Sequence, residues 1–325
     1  MNSTRPAPVI VCGAERSGTS LMFALLASHP RLSMIRRSNM WRWFHGKFGD
    51  LSDPANADRA IDTLSRYKRL DQLEPDWTRI RAEFDAGEPT YGHLFDVMHR
   101  HRAERVGRPR WGDKSLHSEY FAEAIFDEFP DGRVIHMVRD PRDRWVSIAN
   151  RYEDGSKGIS SATGRWLASV RAGEANQRRY PDRYLMVRFE DLARDPVDWT
   201  QAVCEFIGEN FVPEMMTMDG APEHDRGNSS FGELAPRTIS TKPIGRYRSA
   251  LDDRHIAFIQ VAAGRAMRRL GYEIEPVSLD GSDRIRFVAG AVPRDIGRLV
   301  LWSLKERVGR TRETAPEHRL LEPQQ

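Results

Sequence analysis

The residues with the most chemistry in them are Gly13-Ala-Glu-Arg-Ser-Gly-Thr-Ser20, which follow the apolar run Pro8 to Cys12 and open the apolar-periodic segment Leu21 to Ala27. A strand, a tight loop and a helix N-terminus in that order aim backbone N–H groups and the positive end of a helix dipole at one point, which is how a phosphate is held. The interval from Gly13 to Gly18 is that of a nucleoside-triphosphate P-loop, yet Thr19 stands where that loop needs a Lys to reach the outer phosphates. The loop's cation is instead Arg16, a planar guanidinium suited to two-pronged contact with an oxyanion. A phosphate is implied and ATP is disfavoured.

A second anion site is offered by Val134-Ile-His-Met-Val-Arg-Asp-Pro-Arg-Asp-Arg-Trp-Val-Ser147. Its first half reads as a buried strand. Asp140 as N-cap and Pro141 at the first helical position then start a helix. Arg139 falls at the strand's C-terminal end and Ser147 in the helix's second turn. Ligands of open α/β sheets bind at this end of the strands.

Arg16-Ser-Gly-Thr-Ser20 at a strand-to-helix turn resembles the 5′-phosphosulfate loop of sulfotransferases that use 3′-phosphoadenosine 5′-phosphosulfate (PAPS). Arg139 followed eight residues later by Ser147 resembles their 3′-phosphate signature. Three further segments resemble the family in the family's order: Trp111-Gly-Asp-Lys-Ser115, Tyr184-Leu-Met-Val-Arg-Phe-Glu-Asp-Leu192 with Phe189 in place of the usual Tyr, and Lys242-Pro-Ile-Gly-Arg-Tyr247. The resemblance covers residues 8 to 272 and is to the Arg-Ser-Gly-Thr branch, similar to tyrosylprotein and carbohydrate types, as a bacterial member.

That resemblance implies a P-loop-like parallel sheet and in-line transfer of a sulfuryl group to a hydroxyl or amine, releasing 3′-phosphoadenosine 5′-phosphate (PAP), without a metal. It assigns Arg16 and Lys114 to the charge that develops on the leaving oxygen, and Ser17, Gly18, Thr19 and Ser20 with Arg16 to the 5′-phosphate. Arg139, Ser147 and Lys242 fall to the 3′-phosphate, with Phe189 also on the donor side. The acceptor stays open among small molecules, carbohydrates, lipids and peptides. Two rival classes share the strand, loop and helix. A small-molecule kinase would want the P-loop Lys and a Mg²⁺ carboxylate; a non-catalytic nucleotide-binding module on the same scaffold would not need Lys114.

The general base is where the chain departs from the branch it resembles, many of whose members carry a Glu shortly after the first helix and a His-Pro turn. After His29-Pro30 this sequence runs Arg31-Leu-Ser-Met-Ile-Arg-Arg-Ser-Asn39 with no carboxylate. His117, three residues beyond Lys114, has a side chain suited to proton abstraction near neutrality, against the alternative that it merely starts a helix. Asp113 and His45 are lesser candidates.

These residues need a scaffold, and the pattern supplies one. Strands are expected at Val9 to Cys12, near Leu32 to Ile35, and at Arg110 to Gly112, Arg133 to Val138 and Tyr184 to Val187, alternating with helical patterns. Such alternation argues for an α/β fold with a parallel sheet flanked by helices, here in a domain of residues 1–275. A helical insertion of about residues 40–108 contains patterns at Asn56 to Leu70, Trp77 to Phe84 and Thr90 to Val106, and is expected to shape the acceptor side. Met40, Trp41, Trp43 and Phe44 are candidates to line that pocket, with a core cluster as the alternative. Asp219 to Lys242 reads as a long loop able to close over ligand.

With 325 residues, 39% hydrophobic and 30% charged, the chain suits a globular enzyme. Its net charge of +3 is spread along the sequence, so nucleic acid is not implied. Cys12 and Cys204 lie in apolar patterns and read as buried thiols. No signal peptide fits before the strand at Pro8 and no apolar run approaches spanning length, which points to the cytoplasm. Residues 276–325 form a basic extension. From Arg284 it is partly amphipathic, and either lies on an anionic membrane or packs on the body or a second subunit, before a frayed tail after Arg310.

Overall fold

The computed structural model describes residues 7–151, 158–221 and 238–279, with further positions at 281, 293, 296–301, 304, 315 and 320. Residues 222–237 of the expected closing loop, and much of the extension and tail, lie outside the described residues.

Five strands form one parallel sheet: β1 (Val9–Cys12), β2 (Leu32–Arg36), β3 (Arg110–Lys114), β4 (Arg133–Val138) and β5 (Tyr184–Arg188), in the order β2-β3-β1-β4-β5. A strand covered on both faces tends to be a near-continuous apolar run. All four residues of β1 are accordingly buried, Ile10 and Cys12 in one core cluster and Val9 and Val11 in the other. The register aligns Val11 with Lys114 and Ile135, so that the loops leaving β1, β3 and β4 emerge side by side.

The first core cluster lies under α2 (Met40–Trp43), α3 (Pro54–Ser65), α4 (Trp77–Asp85), α5 (Tyr91–Arg105) and α6 (Ala122–Glu128), while the second packs α1 (Thr19–Ala27) and α10 (Pro196–Ile207) on the other face. The remaining helices are α7 (Pro141–Ala149), α8 (Ile159–Arg179), α9 (Phe189–Arg194), α11 (Tyr247–Ala250) and α12 (Asp253–Arg269). A third cluster joins α8 to α12.

Helices α2 to α5 make up the insertion, between β2 and β3. The helix expected over Asn56 to Leu70 stops at Ser65 and gives way to a 3₁₀ turn, Lys68–Leu73. Tyr67, Leu70 and Leu73 are all buried and sit three apart, the spacing that a 3₁₀ turn stacks on one side and an α-helix does not. The pocket-lining expectation fails for Met40, Trp41 and Phe44. They are core: Trp41 meets Phe95 and Phe129 edge-on at 5.5 and 6.1 Å, and Phe44 packs on Tyr67 at 5.0 Å. Trp43 is only partly buried, against Tyr67.

Cys12 and Cys204 are free and buried. In the tail, Ala315 is buried in the first cluster and Leu320 bridges Tyr67, so these two positions are held against the insertion. Among the described residues no helix is long and apolar enough to cross a membrane.

Candidate active site

The ends of β1, β3, β4 and β5 build the site. Leaving β1, the chain passes so tightly over β4 that a Cβ at Gly13 would lie 2.3 Å from the Met137 carbonyl oxygen. Gly18 caps α1 with φ +92° and, having no side chain, places no capping oxygen of its own over the start of the helix. A Cβ on Gly18 would also meet Phe189 at 2.7 Å, so only glycine lets that ring pack under the loop. Between the glycines, Arg16 adopts φ +66°, a conformation costly for a non-glycine residue. Ser17 is buried and its Oγ has no hydrogen-bond partner. Thr19 is buried in the first turn and Ser20 is exposed.

The two anion motifs meet. Arg16 Nε donates to Ser147 Oγ at 2.8 Å, across 131 residues of sequence. Ser147 is fully buried in α7, which starts as expected with Asp140 accepting from the Arg142 N–H at 2.8 Å and Pro141 in the first turn. Arg139, at the end of β4, is buried. It donates to the Pro243 carbonyl at 2.8 Å and to the Arg16 carbonyl at 3.4 Å, with its guanidinium 4.7 Å from the centre of the Phe189 ring. Its Nε has no partner. Burial pushes the Arg139 pKa below arginine's ordinary value, against the opposing pull of Asp143, Glu190 and Asp140. An anion beside it would relieve that cost.

Sequence reasoning gave Asp140 its N-cap role but no part to Asp143 or Glu190, which with it hold this arrangement. Asp140 grips Arg142 through both oxygens, at 3.0 and 2.7 Å, and its own N–H donates to Glu190 at 2.9 Å. Tyr272 donates to the other Glu190 oxygen at 3.0 Å. Asp143 accepts the N–H groups of Gly245 and Tyr247 at 2.7 and 2.9 Å, which fastens the late loop to α7 and brings the Pro243 carbonyl to Arg139. Burial raises the pKa values of both Glu190 and Asp143. The one hint was Arg139-Asp-Pro-Arg-Asp-Arg144, six residues with five charges directly after a buried strand. Lys242 is exposed on the same loop, and among the described contacts none joins its ammonium to Arg139 or Ser147.

At the end of β3, Lys114 is buried and lies in register with Val11 and Arg36. Its neighbour Asp113 accepts from Ser38 Oγ at 2.5 Å and Ser115 Oγ at 2.7 Å, and Ser115 Oγ in turn accepts the Asn39 N–H at 2.9 Å. Asp113 thus ties the β2–α2 corner to β3, and burial raises its pKa. His45 belongs to the insertion, 3.7 Å from Glu128 and between the rings of Trp41 and Tyr91. Of the three base candidates, His117 stands partly exposed at the turn after β3, with φ +72° and its ring stacked on Tyr120 at 6.0 Å.

The sequence profile of the Sulfotransferase family matches residues 8–213, which contain every one of these strand ends. The chain belongs to the sulfotransferase family. Relatives include carbohydrate sulfotransferase 5 of Mus musculus, 27% identical over 179 residues that are 46% of this chain and 44% of the relative. Carbohydrate sulfotransferase 3 of Homo sapiens is 27% identical over 48% of this chain and 36% of its own length. The chain therefore spans less than half the length of either relative. Its fold is that of the sulfotransferase domain of the Synechococcus PCC 7002 olefin synthase, with a TM-score of 0.59 and 21% identity over 85% of this chain and 98% of that one.

A further buried cation, Arg144, lies beside the loop after β1. Arg144 is buried in α7 and donates to the carbonyls of Glu15 and Ala162, each at 2.7 Å. Burial pushes its pKa down to about 10, which still leaves it charged at neutral pH.

Proposed function

We propose that this chain transfers a sulfuryl group from PAPS to a hydroxyl of a carbohydrate acceptor. The observation that carries this reading is a pair of buried polar atoms without partners, Ser17 Oγ and Arg139 Nε, one in each anion motif. Buried polar atoms are costly unless something pairs with them. A nucleotide bearing a 5′-phosphosulfate and a 3′-phosphate supplies anionic oxygen to both motifs at once.

In this reading Arg16, Ser17, Gly18, Thr19 and Ser20 hold the 5′ end, and Arg139, Ser147 and Lys242 hold the 3′-phosphate. Phe189 fixes the height of the loop beneath Gly18. The acceptor oxygen bonds to sulfur as the bond from sulfur to the bridging phosphate oxygen breaks, and the electron pair stays on that oxygen. Arg16 and Lys114 stabilise the charge there, and His117 takes the acceptor's proton. No step needs a divalent metal. The carbohydrate class is supported by the relatives' names.

Calorimetry with PAP and ADP tests the donor: PAP should bind far more tightly, because its second phosphate makes charge-assisted hydrogen bonds that ADP lacks. Equal affinities would reject the reading. Mass spectrometry of oligosaccharide pools incubated with enzyme and PAPS should then find products heavier by one sulfuryl group, with chelator present. Turnover that vanished in EDTA and returned with Mg²⁺ would favour the kinase class instead.

A further inference from the structure

Seven large apolar side chains are exposed among the described residues, and four of them fall within nine positions: Ile296, Val300, Leu301 and Leu304, at 39, 50, 60 and 55% exposure. Residues 296–301 and 304 are helical. On a helix, positions 296, 300 and 304 share one face and 301 neighbours 304, so the four form a stripe rather than scattered contacts. Leu299, off that stripe, is less exposed. Packing of this stripe on the body of the protein, one of the two expectations for the extension, does not match such exposure. A stripe of this kind marks an interaction surface.

The surrounding charge selects the partner. Residues 284–312 contain eight Lys and Arg against two acidic residues, Asp295 and Glu306, a net charge of +6. Arg298 is itself exposed among the apolar residues. Two copies of so basic a segment would repel each other, whereas an anionic surface attracts it. We propose that this stripe docks on an anionic bilayer, with the apolar side chains entering the headgroup boundary, Arg298 meeting lipid phosphates and the segment's net positive charge adding long-range attraction. The proposal is independent of the chemistry assigned to the strand ends.

Sedimentation of the full chain with vesicles tests it. Binding to vesicles containing phosphatidylglycerol should exceed binding to pure phosphatidylcholine by roughly tenfold or more and weaken as salt is raised. Val300→Glu combined with Leu304→Glu should abolish the association, and Arg298→Glu should reduce it. An unchanged melting temperature would show that these variants stay folded. Equal or absent binding to the two vesicle types overturns the proposal, as does a double variant that sediments like the parent. A concentration-dependent dimer that the double variant converts to monomer, with no vesicle binding, would also overturn it and give the stripe to a second copy of the chain.

Discussion

The donor side and the insertion are both buried, but by opposite means. At the ends of β4 and β5 the interior is charged: Arg139, Asp140, Arg142, Asp143, Arg144 and Glu190 are all buried and joined by hydrogen bonds between segments far apart in sequence. The insertion has an aromatic interior, with Trp41 against Phe95 and Phe44 against Tyr67, and keeps ion pairs such as Arg79–Glu83 and Arg79–Glu104 on its surface. Apolar packing is tolerant of identity so long as volume is kept. A buried charged network is not, because removing one member strands the others. The contrast separates a charged interior that tolerates little substitution from an apolar one that needs only its volume filled.

The sharpest way to break that contrast is in the insertion. Trp41→Ala should cost about 3–5 kcal/mol of stability by opening a cavity among Phe95 and Phe129. Denaturant titration reads the loss, and PAP affinity of the folded fraction should be unchanged. If PAP affinity fell in parallel, the two regions would not be separable.

On the donor side, Arg139→Ala should weaken PAP by on the order of a hundredfold or more while leaving ADP nearly unaffected, because the interaction lost is with the second phosphate. Calorimetry with both nucleotides distinguishes this from general damage to the site. His117→Ala should lower turnover by roughly a hundredfold with PAP affinity intact. A near-normal rate would move the base to another residue or to an acceptor that is already ionised.

The smallest effect belongs to Asp113, which sits where the two regions join. Burial raises its folded pKa, so the folded state holds the proton more tightly than the unfolded chain does. The stability it contributes is present below the unfolded value of about 3.9 and is lost as pH rises through the folded value. Melting temperatures followed from pH 4 upward should therefore decline less steeply in Asp113→Asn than in the parent. Identical slopes would mean that the carboxyl is ionised throughout.

Where a feature is local, the sequence shows it. β1 and β4 are legible as buried, largely apolar runs, whereas β3, Arg110-Trp-Gly-Asp-Lys114, is just as buried but mostly polar; β3 and β5 differ from expectation in extending to Lys114 and Arg188. Arg16, Ser147 and Arg139 were legible through short motifs. Their supports were not: the Asp143 contacts to Gly245 and Tyr247 span over a hundred residues, and no periodicity encodes which loop a parallel sheet brings alongside another. The aromatic residues after β2 failed for a related reason. A cluster of Trp and Phe looks the same whether it walls a pocket or fills a core, and only the neighbours that α5 and α6 deliver decide it.

The strand order carries a consequence for biosynthesis. Of the five strands β1 leaves the ribosome before the others, yet it is the middle of the sheet, and its two neighbours are β3 and β4. Until Val138 has been made, Val9 to Cys12 have one or neither of their pairing partners, and the apolar helix that follows lacks Ile135 and Met137 of its core cluster. Nascent chains of this length expose adhesive segments, and pairing so distant in sequence is slow. The protein should therefore depend on holding factors during synthesis far more than on refolding aids afterwards, and short N-terminal fragments ending before β4 should aggregate.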